Sequence, residues 1–383
     1  MIFRILEDQY AEKIRQRDAA DRRFMQLALT LGRRGLGRTW PNPAVGAVVV
    51  KDGIIVGRGW TQAGGRPHAE VEALRRAGEA ARGASLYVTL EPCSHVGKSP
   101  PCADAVIAAG ISRVVSAIED PNPLVAGQGH AKLRAAGIAV ETGLCAREAA
   151  HDHAGHFRRI RERRPQVILK LAVSSDDRIA AAGHKPVVIT GEAARTRVHL
   201  LRAQCDAILV GIGTVLSDDP LLTCRLPGME ARSPVRVVLD SALRIPAESR
   251  LMHSARQTPL WLIASETAEA ASAARLGAAG AQVIRLAPGP ETRGLDLKAA
   301  LHALAERGIT RLLVEGGSRV AAAFVAADLA DEIWLLRGPD AIGQSGVAAL
   351  DAMPLAAITQ SPAFKLRASE TLEKDTLTVF ERA

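Results

Sequence analysis

Residues 67–76 read Pro67-His68-Ala69-Glu70-Val71-Glu72-Ala73-Leu74-Arg75-Arg76, and residues 85–93 read Ser85-Leu86-Tyr87-Val88-Thr89-Leu90-Glu91-Pro92-Cys93, with Cys102 following. These two stretches decide the fold of the first half of the chain. The first reads as a helix with His68 in its opening turn. The second reads as a strand over 85–90 that delivers Cys93 just past its end, near a helix N-terminus that favours a thiolate. One imidazole and two thiolates suit a tetrahedral Zn²⁺ whose fourth position stays open for water. Glu70 need not be a ligand and can move protons for that water. The chemistry this set suits is hydrolytic deamination of a nucleobase, in which an activated hydroxide attacks the ring carbon bearing an amino group. Eight residues separate Cys93 from Cys102, a longer ligand loop than Cys-x-x-Cys. The rival reading, two core thiols and a capping histidine, does not explain why His-x-Glu and strand-Pro-Cys occur together.

Outward from this core, a helix is expected over Arg22–Arg34, then a hairpin of Val45–Val50 and Ile54–Trp60 turning at Lys51-Asp52-Gly53. A helix at Ala103–Ala109, a strand at Val114–Ile118, a helix at His130–Ala136 and a strand at Ile138–Glu141 follow. The alternation implies a three-layer α/β domain. Ala146–Arg164 reads as a connecting helix that Pro165 ends. Beyond it, Val167–Val173, Ala207–Gly211, Val235–Leu239, Leu260–Ala264, Val283–Leu286, Arg311–Val314, Ile333–Leu336 and Leu377–Phe380 are short apolar or β-branched runs. Such runs suit a mostly parallel sheet buried on both faces. Helices are expected at Glu192–Ala203, Leu297–Glu306 and Ser318–Ala327. The division is therefore an extension over 1–20, a first domain over 21–164 and a second over 165–383.

With 383 residues the chain is long enough for two cores. No run approaches 18 apolar residues, and residues 1–21 mix both charges without a secretory pattern. Cys145, Cys205 and Cys224 read as small buried thiols, so a reduced, cytoplasmic compartment is expected. The net charge of +8 includes one dense run, Arg158, Arg159, Arg161, Arg163 and Arg164, which reads as a solvated helix end at the junction. Aromatic residues make up only 3%, too few for a stacking platform on single-stranded nucleic acid.

Two glycine-bearing strand-to-helix turns, Gly211-Ile212-Gly213-Thr214 and Glu315-Gly316-Gly317-Ser318, could bring backbone N–H groups to a phosphate. Only Tyr10 and Tyr87 exist, and neither has a lysine four residues on, which excludes the Tyr-Lys relay of short-chain dehydrogenases.

Pro41-Asn42-Pro43-Ala44-Val45-Gly46, His68-Ala69-Glu70, Glu91 through Cys102 and Asp120 through Gly129 together resemble the riboflavin-biosynthesis deaminase family. Lys170 through Arg178, Leu201-Arg202-Ala203-Gln204, Thr214 through Arg225 and Val314-Glu315-Gly316-Gly317 resemble the reductase fused to it in that family, which is similar in fold to dihydrofolate reductase. The resemblance covers residues 21–383. It implies an α/β chain with a cytidine-deaminase-like N-terminal domain and a dihydrofolate-reductase-like C-terminal domain. It implies zinc at His68, Cys93 and Cys102, with Glu70 as proton shuttle. Asn42, on a proline-rigidified loop, could hydrogen-bond the base edge, and His95 could contact the substrate or serve as an alternative metal ligand, the former being favoured because three ligands and a water complete zinc. For the second domain the resemblance implies NADPH contacts at Ala172, Val188, Thr214, Asp218, Gly317, Ser318, Arg319, Val320, Ala321, Ala322 and Ala323. Substrate contacts are implied at Pro186, Arg202, Leu222, Arg225 and Glu315. Lys170 and Glu315 are the candidates for managing protons during reduction. Val188 stands where some members carry an aromatic, and Asp177 where many carry glycine.

The expected function is zinc-dependent deamination of a phosphorylated ribosylamino-pyrimidine, then NADPH-dependent reduction of its ribosyl group. The expected partner is that small molecule, without nucleic acid or membrane, and the family resemblance suggests a homo-oligomer. The alternative is a deaminase of tRNA or another polynucleotide with the rear domain as a binding module.

Overall fold

The computed structural model describes residues 2–97, 99–185, 187–287 and 294–383; for residues 2–15 and 184 it describes the backbone only. The chain divides into two compact units, residues 1–162 and 163–383.

In the first unit, strands β1 (Gly46–Lys51), β2 (Ile54–Trp60), β3 (Ser85–Val88), β4 (Arg113–Ser116) and β5 (Ala139–Thr142) form one sheet in the order β2-β1-β3-β4-β5. β1 runs antiparallel to β2 and β3, whereas β3, β4 and β5 are parallel. The hairpin turn places Asp52 and Gly53 at φ 50° and 75°, the left-handed pair a tight two-residue turn requires. Side chains alternate across the sheet. Ala47, Val49, Leu86, Val88 and Val114 pack under helices α2 (Ala69–Ala77) and α3 (Cys102–Ala108), with Leu133 of α4 (Gln128–Ala135). Val48, Val50, Tyr87 and Val115 pack on the opposite face against Met25, Ala28 and Leu29.

Those last three belong to α1, one helix over Ile2–Gly32, so no break separates residues 1–20 from residue 21 onward. Asp21 ties this helix to the sheet: it accepts from the Tyr87 hydroxyl and from Arg113, which also reaches Glu141 at 2.9 Å. The expected single helix over 146–164 is two, α5 (Ala146–Asp152) and α6 (Ala154–Glu162), parted at His153. His153 is buried and its Nε2 lies 3.1 Å from the Thr89 hydroxyl, so the break buries a polar ring that a continuous surface helix would have exposed.

Helix α2 packs closely on β2. A Cβ on Gly57 would stand 2.2 Å from the Ala73 carbonyl oxygen, and one on Gly59 2.2 Å from that of Ala69. Gly57 and Gly59 share a strand face, and Ala69, Ala73 and Ala77 share a helix face. Helix and strand therefore touch backbone to backbone.

The second unit contains β6 (Gln166–Val173), β7 (Arg178–Ala180), β8 (Ala207–Gly211), β9 (Val235–Leu239), β10 (Leu260–Ser265), β11 (Gln282–Leu286), β12 (Arg311–Val314), β13 (Glu332–Arg337), β14 (Val347–Ala348), β15 (Phe364–Leu372) and β16 (Asp375–Arg382). The main sheet has the order β11-β10-β9-β8-β12-β6-β13-β16-β15, parallel from β11 to β13, with β16 and β15 antiparallel; β7 and β14 pair separately. Helices α7 (Glu192–Ala203), α8 (Ile212–Asp218), α9 (Arg250–His253), α10 (Ala270–Ala278), α11 (Leu297–Glu306) and α12 (Ser318–Ala326) connect the strands. The chain leaves β8 toward β11 and returns as β12, between β8 and β6. The carboxyl ends of β8, β12 and β6 thus meet at a switch point, where open parallel sheets bind ligands.

Two buried carboxylates fix this arrangement. Asp206 accepts from the Thr310 N–H and hydroxyl at 2.7 and 2.6 Å and from the Arg311 N–H at 2.9 Å, locking the start of β8 to that of β12. Asp331 takes a bidentate grip from Arg164, at 2.6 and 2.8 Å, and the Val167 N–H at 2.9 Å. Arg164 is therefore buried rather than part of a solvated helix end, because β6 needs a cation at its entry to match Asp331. Asp177, at φ 64°, occupies a left-handed position that glycine fills without strain.

Two expectations arise from the first unit. Gly59→Ala forces α2 off β2; overpacking of this kind costs ~1–3 kcal/mol. We expect a lower thermal midpoint together with reduced zinc content, both measurable on the purified variant. The second expectation concerns His153, whose pKa is pushed down to about 4 by burial and by His156. A depressed imidazole pKa means that the unfolded chain binds more protons between about pH 6.5 and 4, so stability falls as pH falls through that window. His153→Gln removes this titration. Its unfolding free energy should decline less steeply over the same window, by up to about 3 kcal/mol at the acid end, measured by denaturant titration at each pH.

Candidate active sites

The first site sits where α2 and α3 begin. His68 caps α2 in extended conformation, φ −71°, ψ 161°, one residue before the helix rather than in its first turn. Cys93 lies in the loop after β3, and it is Cys102, not Cys93, that opens α3. Cys93 nevertheless sits at that helix end in space, because its Sγ accepts the Cys102 N–H at 3.3 Å. His68 Nδ1 stands 3.2 Å from Cys102 Sγ and 3.7 Å from Cys93 Sγ, and the three ligand atoms all lie within 4.8 Å of one another. A tetrahedral zinc with ordinary Zn–N and Zn–S bonds separates such atoms by ~3.6–3.8 Å. The donor set therefore fits the ion in chemistry and in spacing.

Electrostatics agree. The Cys102 thiol hydrogen bond, with help from His68, pulls Cys93 down to about 4, whereas that same bond and burial hold Cys102 well above the ordinary thiol range. Burial pushes Glu70 up to about 7, against the pull of His68. A buried carboxyl near neutrality, on the first turn of the ligand helix, is equipped for proton transfer.

Around this centre the Asn42 amide donates to the Gly65 carbonyl at 2.8 Å, so part of its hydrogen-bonding capacity is spent on its own loop. His95 is half-buried, with Nδ1 lacking a partner among the described residues. Glu91, quoted in the motif but given no role by the sequence, is a loop organiser. Its carboxylate accepts the N–H groups of Asp120, Gly127 and His130 at 3.3, 3.0 and 3.1 Å, drawing the 120–127 loop and the start of α4 together.

The second site occupies the switch point. The register pairs Leu169 of β6 with Val314 of β12, so Lys170 and Glu315 come next to each other. Arg202 of α7 grips Glu315 with two bonds, at 2.7 and 2.9 Å, while Lys170 Nζ lies 3.8 Å from the same carboxylate. Burial alone would raise Glu315, but Arg202 and then Lys170 hold it down at about 2. Burial lowers Lys170, with Glu315 opposing. Arg202 also donates to the Thr223 carbonyl at 3.1 Å, fastening the segment that carries Leu222 and Arg225. Leu222 is buried in the core at φ 55°, so only its backbone remains to meet a ligand; Arg225 is exposed.

The two glycine turns cap α8 and α12. A Cβ on Gly316 would strike Val320 at 2.6 Å, so that glycine serves packing, as does Gly211, whose Cβ would meet Val320 at 2.8 Å. A Cβ on Gly317 would meet only Thr214 Oγ1, at 3.6 Å, and one on Gly213 nothing within 4 Å. These two open glycines and Thr214 form a cradle with room for a phosphate, which fits a dinucleotide. Ser318, Arg319 and Val320 lie in the first turn of α12 beside it. Ala321 is fully buried, pointing into the core, while Ala322 and Ala323 sit a turn farther along. Ala172 is half-buried on β6. Asp218 ends α8, and Val188 is 80% exposed on the segment before α7. Pro186 lies outside the described residues. A residue the sequence did not single out, His199, lies on α7 three positions before Arg202, and that spacing was its only signal.

Comparison with known proteins matches residues 18–118 to the cytidine and deoxycytidylate deaminase zinc-binding region and residues 165–378 to the RibD C-terminal domain. The riboflavin biosynthesis protein RibD of Aquifex aeolicus is 41% identical over 94% of this chain and 98% of its own length. That of Escherichia coli is also 41% identical, over 91% and 95%. Among solved structures, Acinetobacter baumannii RibD superposes with TM-score 0.84 at 37% identity, covering 96% of this chain and 99% of that one. A Thermotoga maritima protein described as a diaminohydroxyphosphoribosylaminopyrimidine deaminase and 5-amino-6-(5-phosphoribosylamino)uracil reductase superposes with TM-score 0.83 at 35% identity, covering 96% and 100%. Matched in both halves and alignable almost from end to end, this chain belongs to the RibD family.

Proposed function

We propose that this chain carries out two successive steps of riboflavin biosynthesis, a hydrolytic deamination in its first unit and an NADPH-dependent reduction in its second. The observation that carries the reading is the His68–Cys93–Cys102 triangle with buried Glu70 beside it, on a chain that also holds the Glu315–Arg202–Lys170 cluster.

In the first site, His68, Cys93 and Cys102 would hold zinc, which when bound would lower the pKa of a water. Glu70 would carry a proton from the attacking water to the departing amino group, so that oxygen replaces nitrogen on the ring and ammonia leaves. Asn42 and His95 orient the pyrimidine. In the second site NADPH, when bound, would supply hydride to the ring-opened, imine-like carbon of the ribosyl group, giving ribityl. Thr214, Gly317 and the first turn of α12 receive the cofactor's phosphates. Arg202 and Arg225 take the substrate, Arg225 on its phosphate through a planar guanidinium. Lys170 and Glu315 manage the proton and charge. We further propose that the enzyme works in the cytoplasm as a homo-oligomer on this small phosphorylated pyrimidine, without nucleic acid or membrane.

The deciding test supplies the diaminopyrimidine phosphate with and without NADPH and identifies products by mass. Without NADPH only the deaminated ribosyl compound should form; with it, the ribityl compound. An unchanged substrate in both arms refutes the reading.

Two sets of variants assign the residues. Cys93→Ala and Cys102→Ala should each lose zinc by elemental analysis. Glu70→Gln should keep the metal and lose ~10² to 10⁴ in deamination rate, while still reducing deaminated substrate supplied directly. In the second site, Arg225→Ala should raise KM for the ribosyl substrate roughly 10- to 100-fold and leave NADPH affinity nearly intact. Gly317→Val should do the reverse, measured by fluorescence titration with NADPH, since its side chain would fill the cradle, where a Cβ has only an ordinary contact with Thr214 Oγ1 at 3.6 Å.

A further inference from the structure

The segment Leu222–Arg225 is held at several points. Leu222 sits at φ 55°, a left-handed conformation that strains a non-glycine residue and persists only where its surroundings enforce it. Its side chain is buried in the core of the second unit. The Thr223 carbonyl accepts from Arg202, the Cys224 N–H donates to the Ser233 hydroxyl at 3.1 Å, and the Arg225 N–H donates to His199 Nδ1 at 3.3 Å. The last of these bonds is the one nearest the exposed Arg225 side chain, and it comes from a histidine to which neither the sequence nor the proposed mechanism gives a part.

From this we infer that His199 is a positioning residue for the phosphate grip: through Nδ1 it fixes the Arg225 backbone and so sets where the guanidinium stands. This rests on the reading of Arg225 as the substrate's phosphate ligand. The chemistry of the ring is consistent with the role. Accepting an N–H requires an unprotonated Nδ1, hence a neutral ring with its proton on Nε2. Burial and the Arg202 and Arg225 guanidiniums lower its pKa below the ordinary imidazole value, with Glu315 and the Thr223 carbonyl opposing. The ring is thus neutral at pH 7. A cationic side chain in its place would repel the two arginines; the imidazole contributes an acceptor without adding charge.

The geometry gives a sharp test. An asparagine Oδ1 is the same number of bonds from the backbone as Nδ1, whereas a glutamine Oε1 reaches the place of Nε2. His199→Asn therefore preserves the acceptor, and His199→Gln and His199→Leu lose it. Loss of one net hydrogen bond corresponds to about three- to tenfold. We expect the Leu and Gln variants to raise KM for 5-amino-6-(5-phosphoribosylamino)uracil by that factor, with kcat and NADPH affinity changed less than about twofold on the same scale. The Asn variant should stay near the parent. With the dephosphorylated substrate all four proteins should share one KM, because the phosphate that Arg225 grips is gone. A merely structural role would instead lower kcat and thermal midpoint in all variants and ignore the phosphate. Where the Leu variant does not fold, the Asn and Gln pair carries the comparison alone. Equal KM values for Asn and Gln overturn the inference. If Arg225→Ala itself raises KM no more for the phosphorylated than for the dephosphorylated substrate, it is the Arg225 reading that fails. A phosphate-dependent penalty in Arg225→Ala with none in His199→Gln refutes His199 alone.

Discussion

The backbone contact between β2 and α2 is the constraint on which the first site depends. Gly57 and Gly59 present bare backbone, and Ala69, Ala73 and Ala77 answer with the smallest side chain that still favours a helix. The helix start is thereby fixed against the hairpin with almost no slack. His68, as the residue capping that helix, and Glu70, in its first turn, inherit this position. A zinc ligand must be placed to within a few tenths of an ångström, and rigid elements do this better than loops. Cys93 and Cys102 are held by a different device, the N–H to thiolate bond that joins their two segments.

The second site is organised by charge rather than by close packing. Arg202, Lys170 and Glu315 are all largely buried, and removing such groups from water costs as much as their attraction returns. The cluster is therefore poor evidence for stability and better evidence for geometry. Glu315 held at about 2 is ionised at any physiological pH and anchors both cations. Arg202 then extends the order outward by its bond to Thr223. A chain of contacts runs from the end of β12 through α7 to the Arg225 segment, and each link is a named hydrogen bond.

Much of this was legible in the sequence, for reasons that differ by element. Helices Glu192–Ala203 and Leu297–Glu306 have the predicted ends because their apolar spacing and flanking residues agree. The grouping of His68, Cys93 and Cys102 was legible because a metal site would dictate residue type, and His-x-Glu and Pro-Cys are local. By contrast, β15 went unseen: its residues are almost all exposed, so it carries no buried face to leave a pattern. Helix α10 was missed because the alanine-rich run from Ala270 to Ala278 has little apolar contrast. The Arg202–Glu315 pair spans 113 positions, and only the register of β6 against β12 brings Lys170 to it. No spacing rule reaches that far, so the resemblance supplied those residues without the contact between them. His199 carried no motif at all.

The glycines of the second unit complete the argument for a cofactor cradle. Each glycine costs conformational entropy, so its presence asks for a reason. At Gly211 and Gly316 the reason is internal, since a Cβ would strike Val320. At Gly213 and Gly317 no such reason exists: a Cβ there has open space or an ordinary contact with Thr214, and neither residue has the positive φ that would demand glycine. Nothing among the described residues forbids alanine at these two positions. They lie at the starts of two helices, at the carboxyl ends of adjacent strands. Bare backbone in that place is explained by a group outside the chain that must approach closely, and a phosphate met by helix N–H groups is the group this geometry suits.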